Sequence, residues 1–86
     1  MTASTIMVVE DDNELREALS ETLQLAGFTV LKAKDGVDAL QKLTNAPVNL
    51  IVSDIQMPNM DGQTLLKKLK NIYSDIPVML MTAYGT

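Results

Sequence analysis

The chain is 86 residues long, carries seven Lys and Arg against eleven Asp and Glu, and contains neither His nor Cys. These counts exclude an imidazole general base, a thiolate nucleophile, a disulfide framework and any zinc or iron–sulfur site held by His or Cys. The net charge of −4 argues against direct contact with nucleic acid, which usually needs a basic face. Chemistry in this chain must therefore use carboxylates, hydroxyls, lysines and hard cations.

The composition is that of a globular chain, with 47% hydrophobic and 21% charged residues. Its length predicts one small domain. No apolar run approaches the roughly 18 residues of a membrane span, and the N-terminus lacks the basic-then-apolar layout of a signal peptide. We therefore expect no membrane insertion and a location in the reducing cytoplasm.

Short apolar runs alternate with longer amphipathic stretches. The first run, residues 6–9, is apolar on both faces and predicts a buried parallel strand. A helix follows, capped by Asp12 or Asn13 and ending near Gly27, where a left-handed cap belongs. Residues 28–31 predict a second, shorter strand.

The alternation of apolar runs and amphipathic stretches continues from residue 35 onwards. Asp35 and Gly36 indicate a turn. The elements predicted after it are a helix over 37–44, a strand over 50–54, a helix over 63–72 and a strand over 77–82. Four strands alternating with three helices predict right-handed crossovers and a parallel sheet with helices on both faces.

Polar residues stand at three of the four strand ends. Glu10 and Asp11 follow the first strand, Asp54 ends the third, and Thr82 ends the fourth. Ligands of an open parallel sheet bind beyond the carboxyl ends of its strands, so Glu10, Asp11 and Asp54 converge if their strands are neighbours. Their mutual repulsion is relieved by a cation or by a proton. Oxygen ligands favour Mg²⁺ first, then Mn²⁺ or Ca²⁺.

Each of these residues also has an ordinary explanation. Asp12 can be only an N-cap, and Glu10 and Asp11 can be solvated loop charges. Asp54 can open a turn, and Thr82 at a strand end is uninformative by itself. Only the coincidence of three strand ends favours a shared site.

Five segments carry a more specific pattern. They are residues 6–12, 33–36, 50–58, 60–62 and 77–83. The stretch from Asp54 through Met57-Pro58 to Asp61-Gly62, followed later by Thr82-Ala83, is the most distinctive part. In this order and spacing the segments resemble the receiver domain of bacterial two-component response regulators. The resemblance implies a flavodoxin-like, doubly wound parallel sheet.

The resemblance also implies roles for individual residues. Asp54 is similar to the phosphoacceptor aspartate. Glu10 and Asp11 resemble the acidic pair that holds Mg²⁺, and the backbone carbonyl of Gln56 would be a further ligand. Thr82 matches the hydroxyl residue that hydrogen-bonds the phosphoryl group and moves with it. Pro58 and Gly62 resemble the residues that shape the loop after the phosphoacceptor, and Ala83 matches the small residue that leaves room for the phosphoryl group.

The implied function is a phosphoacceptor module without substrate turnover of its own. It takes a phosphoryl group from a histidine kinase or phosphotransfer protein and controls an attached or partner output. A carboxylate can attack phosphorus, and Mg²⁺ neutralises the anionic groups that meet there.

The family pattern continues beyond the fourth strand, whereas this sequence stops there. The expectation is one incomplete receiver domain over residues 1–86, without the fourth helix, the fifth strand, the fifth helix and the lysine of that strand. The family's strand order, 2-1-3-4-5, would leave strand four at an edge. We therefore expect poor stability, or a dimer through strand four or the uncovered sheet face. An equal alternative is that these residues are part of a longer chain.

Three other functions compete with this interpretation. A Mg²⁺-dependent phosphohydrolase would need a second Asp two residues after Asp54, where the chain has Gln56. A mononucleotide or flavin module would need a phosphate-binding loop where the acidic Glu10 and Asp11 stand. A degenerate receiver that acts only through protein contacts is the main alternative.

Overall fold

The fold is known from a computed structural model that describes residues 4–54, 62–72 and 75–81. Its elements in chain order are β1 (Thr5–Val9), α1 (Asn13–Leu25), β2 (Thr29–Ala33), α2 (Gly36–Leu43), β3 (Leu50–Asp54), α3 (Gly62–Ile72) and β4 (Val78–Met81). The strands form one parallel sheet in the order β2-β1-β3-β4. The predicted α/β architecture and the neighbouring positions of strands one and three are both confirmed.

Helix α1 begins and ends where its capping residues predict. Asp12 is the N-cap, and its Oδ1 accepts a hydrogen bond from the Leu15 N–H over 3.1 Å. Gly27 adopts a φ of 100°, a left-handed conformation that is strained for residues with a Cβ atom. The Phe28 N–H then closes the end of the helix on the Leu23 carbonyl over 3.1 Å.

The predicted boundaries of β2 and α2 were wrong. Strand β2 ends at Ala33 instead of residue 31, because it pairs with β1 position by position as far as Val9, which lies opposite Ala33. Asp35 and Gly36 do not form a separate turn. Asp35 is the N-cap of α2 and accepts from the Asp38 N–H over 2.8 Å, and Gly36 is the first helical residue.

The main core lies on one face of the sheet. Its buried members are Met7, Val9, Ala33, Ala39, Leu43, Val48, Ile51, Leu65 and Leu69. Burial of one large aliphatic side chain stabilises the fold by about 1.5–3 kcal/mol, so each large member of this cluster contributes substantially to stability. It joins the sheet to α2 and α3 and thereby fixes the level at which the strands end.

Helix α1 lies against the opposite face. Because side chains alternate along a strand, the buried Ile6 and Val8 point away from the main core. Lys32, which lies opposite Val8, reaches Glu17 of α1 over 2.9 Å. Within the described part of the chain, no helix has both the length and the apolarity needed to cross a membrane.

Candidate functional site

Strand register brings the acidic residues to one edge of the sheet. Val9 of β1 lies opposite Ser53 of β3, so Glu10 and Asp54 follow at the same level on neighbouring strands. Asp54 is also opposite Met81, the residue before Thr82. Adjacent strands are about 4.8 Å apart, so these three chain segments meet at the carboxyl edge. The Asp54 side chain, Gln56 and Thr82 lie outside the described residues.

Glu10 is a buried carboxylate. Only 1% of its surface is exposed, and its Oε2 accepts a hydrogen bond from the Asp12 N–H over 3.0 Å. Its backbone N–H donates to the Ala33 carbonyl over 3.0 Å, which continues the β1–β2 ladder by one residue. Burying a carboxylate is costly without such compensation. The alternative that Glu10 is a solvated loop charge is therefore wrong, whereas the neighbouring Asp11 is exposed.

Arg16 ties α1 to this acidic loop. Its Nη1 donates to the backbone carbonyl of Glu10 over 2.9 Å, and its Nη2 donates to Asn13 Oδ1. Arg16 was not among the site residues predicted from the sequence. A signal for it exists, because Arg16 stands one turn after the cap Asp12 and long helical side chains point back towards the helix N-terminus. Arg16 thus brings a positive charge beside the carboxylates.

The donor set at this edge fits a hard cation. Glu10 and Asp11 offer carboxylate oxygens, the ligand type that Mg²⁺ prefers, and the chain has no His or Cys to recruit a softer metal. Among the described side chains, no group of three or more His, Cys, Asp or Glu residues is placed to hold a metal ion. That set does not include the Asp54 carboxylate.

Known proteins resemble this chain over nearly its full length. The family model for the response regulator receiver domain matches residues 6–86. The response regulator protein FleR of Pseudomonas aeruginosa is 45% identical over 83 residues, which are 96% of this chain and 18% of FleR. The CpxR homologue of Haemophilus influenzae, a transcriptional regulatory protein, is 44% identical over 82 residues, 95% of this chain and 35% of that protein. The chain thus spans only a minor part of these relatives.

Solved structures agree with the fold. The response regulator TrrA of Thermotoga maritima, solved in complex with Mg²⁺-BeF, has a TM-score of 0.89 at 33% identity, over 94% of this chain and 70% of TrrA. A second structure, of TrrA in complex with the histidine kinase ThkA, matches with a TM-score of 0.88 at 32% identity. The match covers 96% of this chain and 72% of the matched chain in that structure. With the sheet order and the acidic edge already described, these matches show that the chain belongs to the response regulator receiver domains of two-component systems.

Proposed function

We propose that Asp54 accepts a phosphoryl group from a partner histidine kinase or phosphotransfer protein. The observation that carries this proposal is the register of β1 and β3, which sets the buried Glu10 and the backbone of Asp54 at one level of the carboxyl edge. In the proposed step, an oxygen of the Asp54 carboxylate forms a bond to phosphorus. The bond from phosphorus to the donor's imidazole nitrogen breaks, and that nitrogen keeps the electron pair.

The proposed metal ligands are the carboxylates of Glu10, Asp11 and Asp54 and the backbone carbonyl of Gln56. Mg²⁺, or Mn²⁺ in its place, would neutralise the charge that accumulates when two anionic groups approach. The chain's own contribution is to hold the ligands in place. The Asp12 N–H orients the Glu10 carboxylate, and Arg16 anchors the Glu10 carbonyl. The TrrA complex with Mg²⁺-BeF supports this assignment.

Thr82 is proposed to donate a hydrogen bond to the phosphoryl group once it is attached. The backbone of Met81, next to Thr82 in the chain, lies opposite Asp54, which brings the two segments close together. Movement of a hydroxyl towards the new charge would bias a two-state element at the end of β4. The proposed role is therefore that of a switch, without turnover of an independent substrate.

The proposed partners follow from the relatives. TrrA was solved with the histidine kinase ThkA, which supports a kinase as the phosphoryl donor. FleR and the CpxR homologue extend well beyond the matched region, which supports an attached output domain. The CpxR homologue is a transcriptional regulatory protein, which supports an output in transcription regulation. We infer a cytoplasmic location and no direct contact with nucleic acid by this acidic module.

Phosphorylation by a small donor tests the function directly. The chain is incubated with Mg²⁺ and acetyl phosphate, and its intact mass is measured. We expect a gain of one phosphate that is lost in Asp54→Asn and when Mg²⁺ is removed. Asp75→Asn is the matched control, because it makes the same chemical change at an exposed position before β4. The gain must persist there, and no gain in the original chain contradicts the proposal.

We also propose that the chain dimerises through β4 or the sheet face that carries Met79. Within the described residues, β4 pairs only with β3, and Met79 is 57% exposed opposite the half-buried Val52. An open strand edge and exposed apolar surface favour self-association. Sedimentation velocity at several concentrations should show a dimer that Met79→Glu weakens. A monomer at all concentrations contradicts this proposal and leaves the phosphoacceptor role unaffected.

A further inference from the structure

A charged groove lies at the β2 edge of the described sheet, between α1, β2 and α2. It is open to solvent, has a volume of about 420 Å³ and is lined by Arg16, Glu17, Lys32, Lys34, Asp38 and Lys42. Four of the seven cationic side chains of an acidic protein therefore surround one hollow. Two carboxylates share it, so the groove carries two positive charges in excess.

The two carboxylates hold two of the lysines in place. Glu17 Oε1 lies 2.9 Å from Lys32 Nζ, and Asp38 Oδ2 lies 3.3 Å from Lys42 Nζ. Asp38 Oδ2 also accepts from the backbone N–H of Lys34 over 3.0 Å, which fixes the strand exit against α2. These contacts build a groove with a defined charge arrangement.

Arg16 and Lys34 supply the excess charge. Within the described residues, neither side chain forms an ion pair with a carboxylate. The hydrogen bonds of the Arg16 guanidinium go to two neutral groups, the Glu10 carbonyl and the Asn13 amide oxygen. Lys34 is exposed where β2 leads into α2. No carboxylate of the described residues therefore neutralises the charge of Arg16, which acts on a ligand through its field, and the exposed Lys34 can contact a ligand that carries negative charge.

One backbone carbonyl on the outer edge of β2 is covered at the groove. Among the described strands β2 pairs only with β1, so its outer backbone groups would offer a template for another strand. Lys42 Nζ, however, donates to the carbonyl of Lys32 and covers that position. A partner at this position meets the charged side chains of the groove.

We propose that this groove binds an acidic segment of a partner protein. Charge complementarity carries the proposal, because Arg16 and Lys34 offer paired positive charges on a chain whose net charge of −4 otherwise repels such a segment. Arg16 contacts both the groove and the Glu10 turn, but the groove attracts an anion whereas the carboxylate edge attracts a cation. The proposal does not depend on phosphorylation of Asp54.

The test uses a hexaglutamate peptide as the probe. Backbone amide shifts of the ¹⁵N-labelled chain are followed by NMR at low ionic strength, in metal-depleted buffer so that the peptide does not compete for Mg²⁺. We expect the shifts to concentrate at the groove and to fall as salt is added, because exposed charges are screened. Shifts that are absent, or spread evenly over the surface, overturn the proposal.

Two pairs of variants distinguish binding at the groove from a general effect of the chain's net charge. Lys34→Glu should weaken hexaglutamate binding by about fivefold, because one attractive contact becomes repulsive. Lys67→Glu, on the exposed surface of α3, makes the same change in net charge and should leave hexaglutamate binding nearly unchanged. Glu17→Gln should tighten binding by releasing Lys32, whereas Glu21→Gln, also exposed on α1, should not. Equal effects within either pair overturn the proposal.

Discussion

The Arg16 guanidinium donates a hydrogen bond to the backbone carbonyl of Glu10 over 2.9 Å. The same side chain bonds to Asn13, and the Arg16 N–H donates to the Asp12 carbonyl over 2.9 Å. One residue of α1 therefore fixes the whole turn between the buried Glu10 and the helix. The geometry of the carboxylate edge depends on this anchor as well as on the carboxylates themselves.

Replacement of Arg16 should loosen this turn. We expect Arg16→Ala to lower the free energy of unfolding by about 1–3 kcal/mol, because it removes two charge-assisted hydrogen bonds at a partly buried position. Urea unfolding measures this change. Mg²⁺ affinity, measured by isothermal titration calorimetry, should fall as well, because the Glu10 turn is no longer anchored.

Lys67→Ala is the control for Arg16, since it removes a cation from an exposed helical position. Its unfolding free energy and Mg²⁺ affinity should remain close to those of the original chain. If Arg16→Ala behaves like Lys67→Ala in both measurements, Arg16 does not anchor the turn.

Removal of the Asp12 cap should weaken α1. Asp12→Ala loses the acceptor for the Leu15 N–H and should destabilise the chain by about 1 kcal/mol. Asp12→Asn retains a capping oxygen, so its free energy of unfolding should stay within about 0.3 kcal/mol of that of the original chain. Thermal unfolding of the two variants compares them directly. Equal destabilisation would mean that the charge of Asp12 matters more than its capping oxygen.

Ser20→Ala should stabilise the protein. The Ser20 side chain is buried in α1, and among the described residues its Oγ has no hydrogen-bond partner. Removing an unsatisfied hydroxyl and gaining the helix propensity of alanine together should add about 0.5–1.5 kcal/mol to the free energy of unfolding. Urea unfolding provides the measurement. Glu21→Ala, an exposed neighbour, shows the smaller propensity effect alone, and a loss of stability in Ser20→Ala contradicts the prediction.

Lowering the pH should remove the contribution that the ion pair of Glu17 and Lys32 makes to the stability of the fold. The hydrogen bond from Lys32 chiefly, with the positive charges of Lys32 and Arg16, holds the pKa of Glu17 below its usual 4.5. A lowered pKa in the folded state means that the pair stabilises the fold above the unfolded pKa and that this stabilisation is lost as the pH falls through the folded pKa. At neutral pH the midpoint of thermal unfolding should therefore be higher for the original chain than for Glu17→Gln. The two midpoints should converge below pH 4.5, and a constant difference contradicts the assignment.

Local patterns in the sequence determined the order and type of the elements. The strand over residues 50–54 is found with the predicted bounds, Asp12 caps α1, and Gly27 takes the left-handed conformation. These features depend on residues within about one helical turn or on the alternation of a single strand, so they can be read without knowledge of distant contacts. The motifs likewise indicated the family that the comparisons show.

Only the tertiary structure decided how the acidic residues differ. Glu10 and Asp11 are consecutive carboxylates with the same sequence signal, yet the fold buries the first and exposes the second. Burial of Glu10 requires β1 to lie between β2 and β3, which are distant in the chain. The true end of β2, the Arg16 anchor and the charged groove arise in the same way. Each depends on register and packing between separate segments, because no local preference encodes which surfaces will meet.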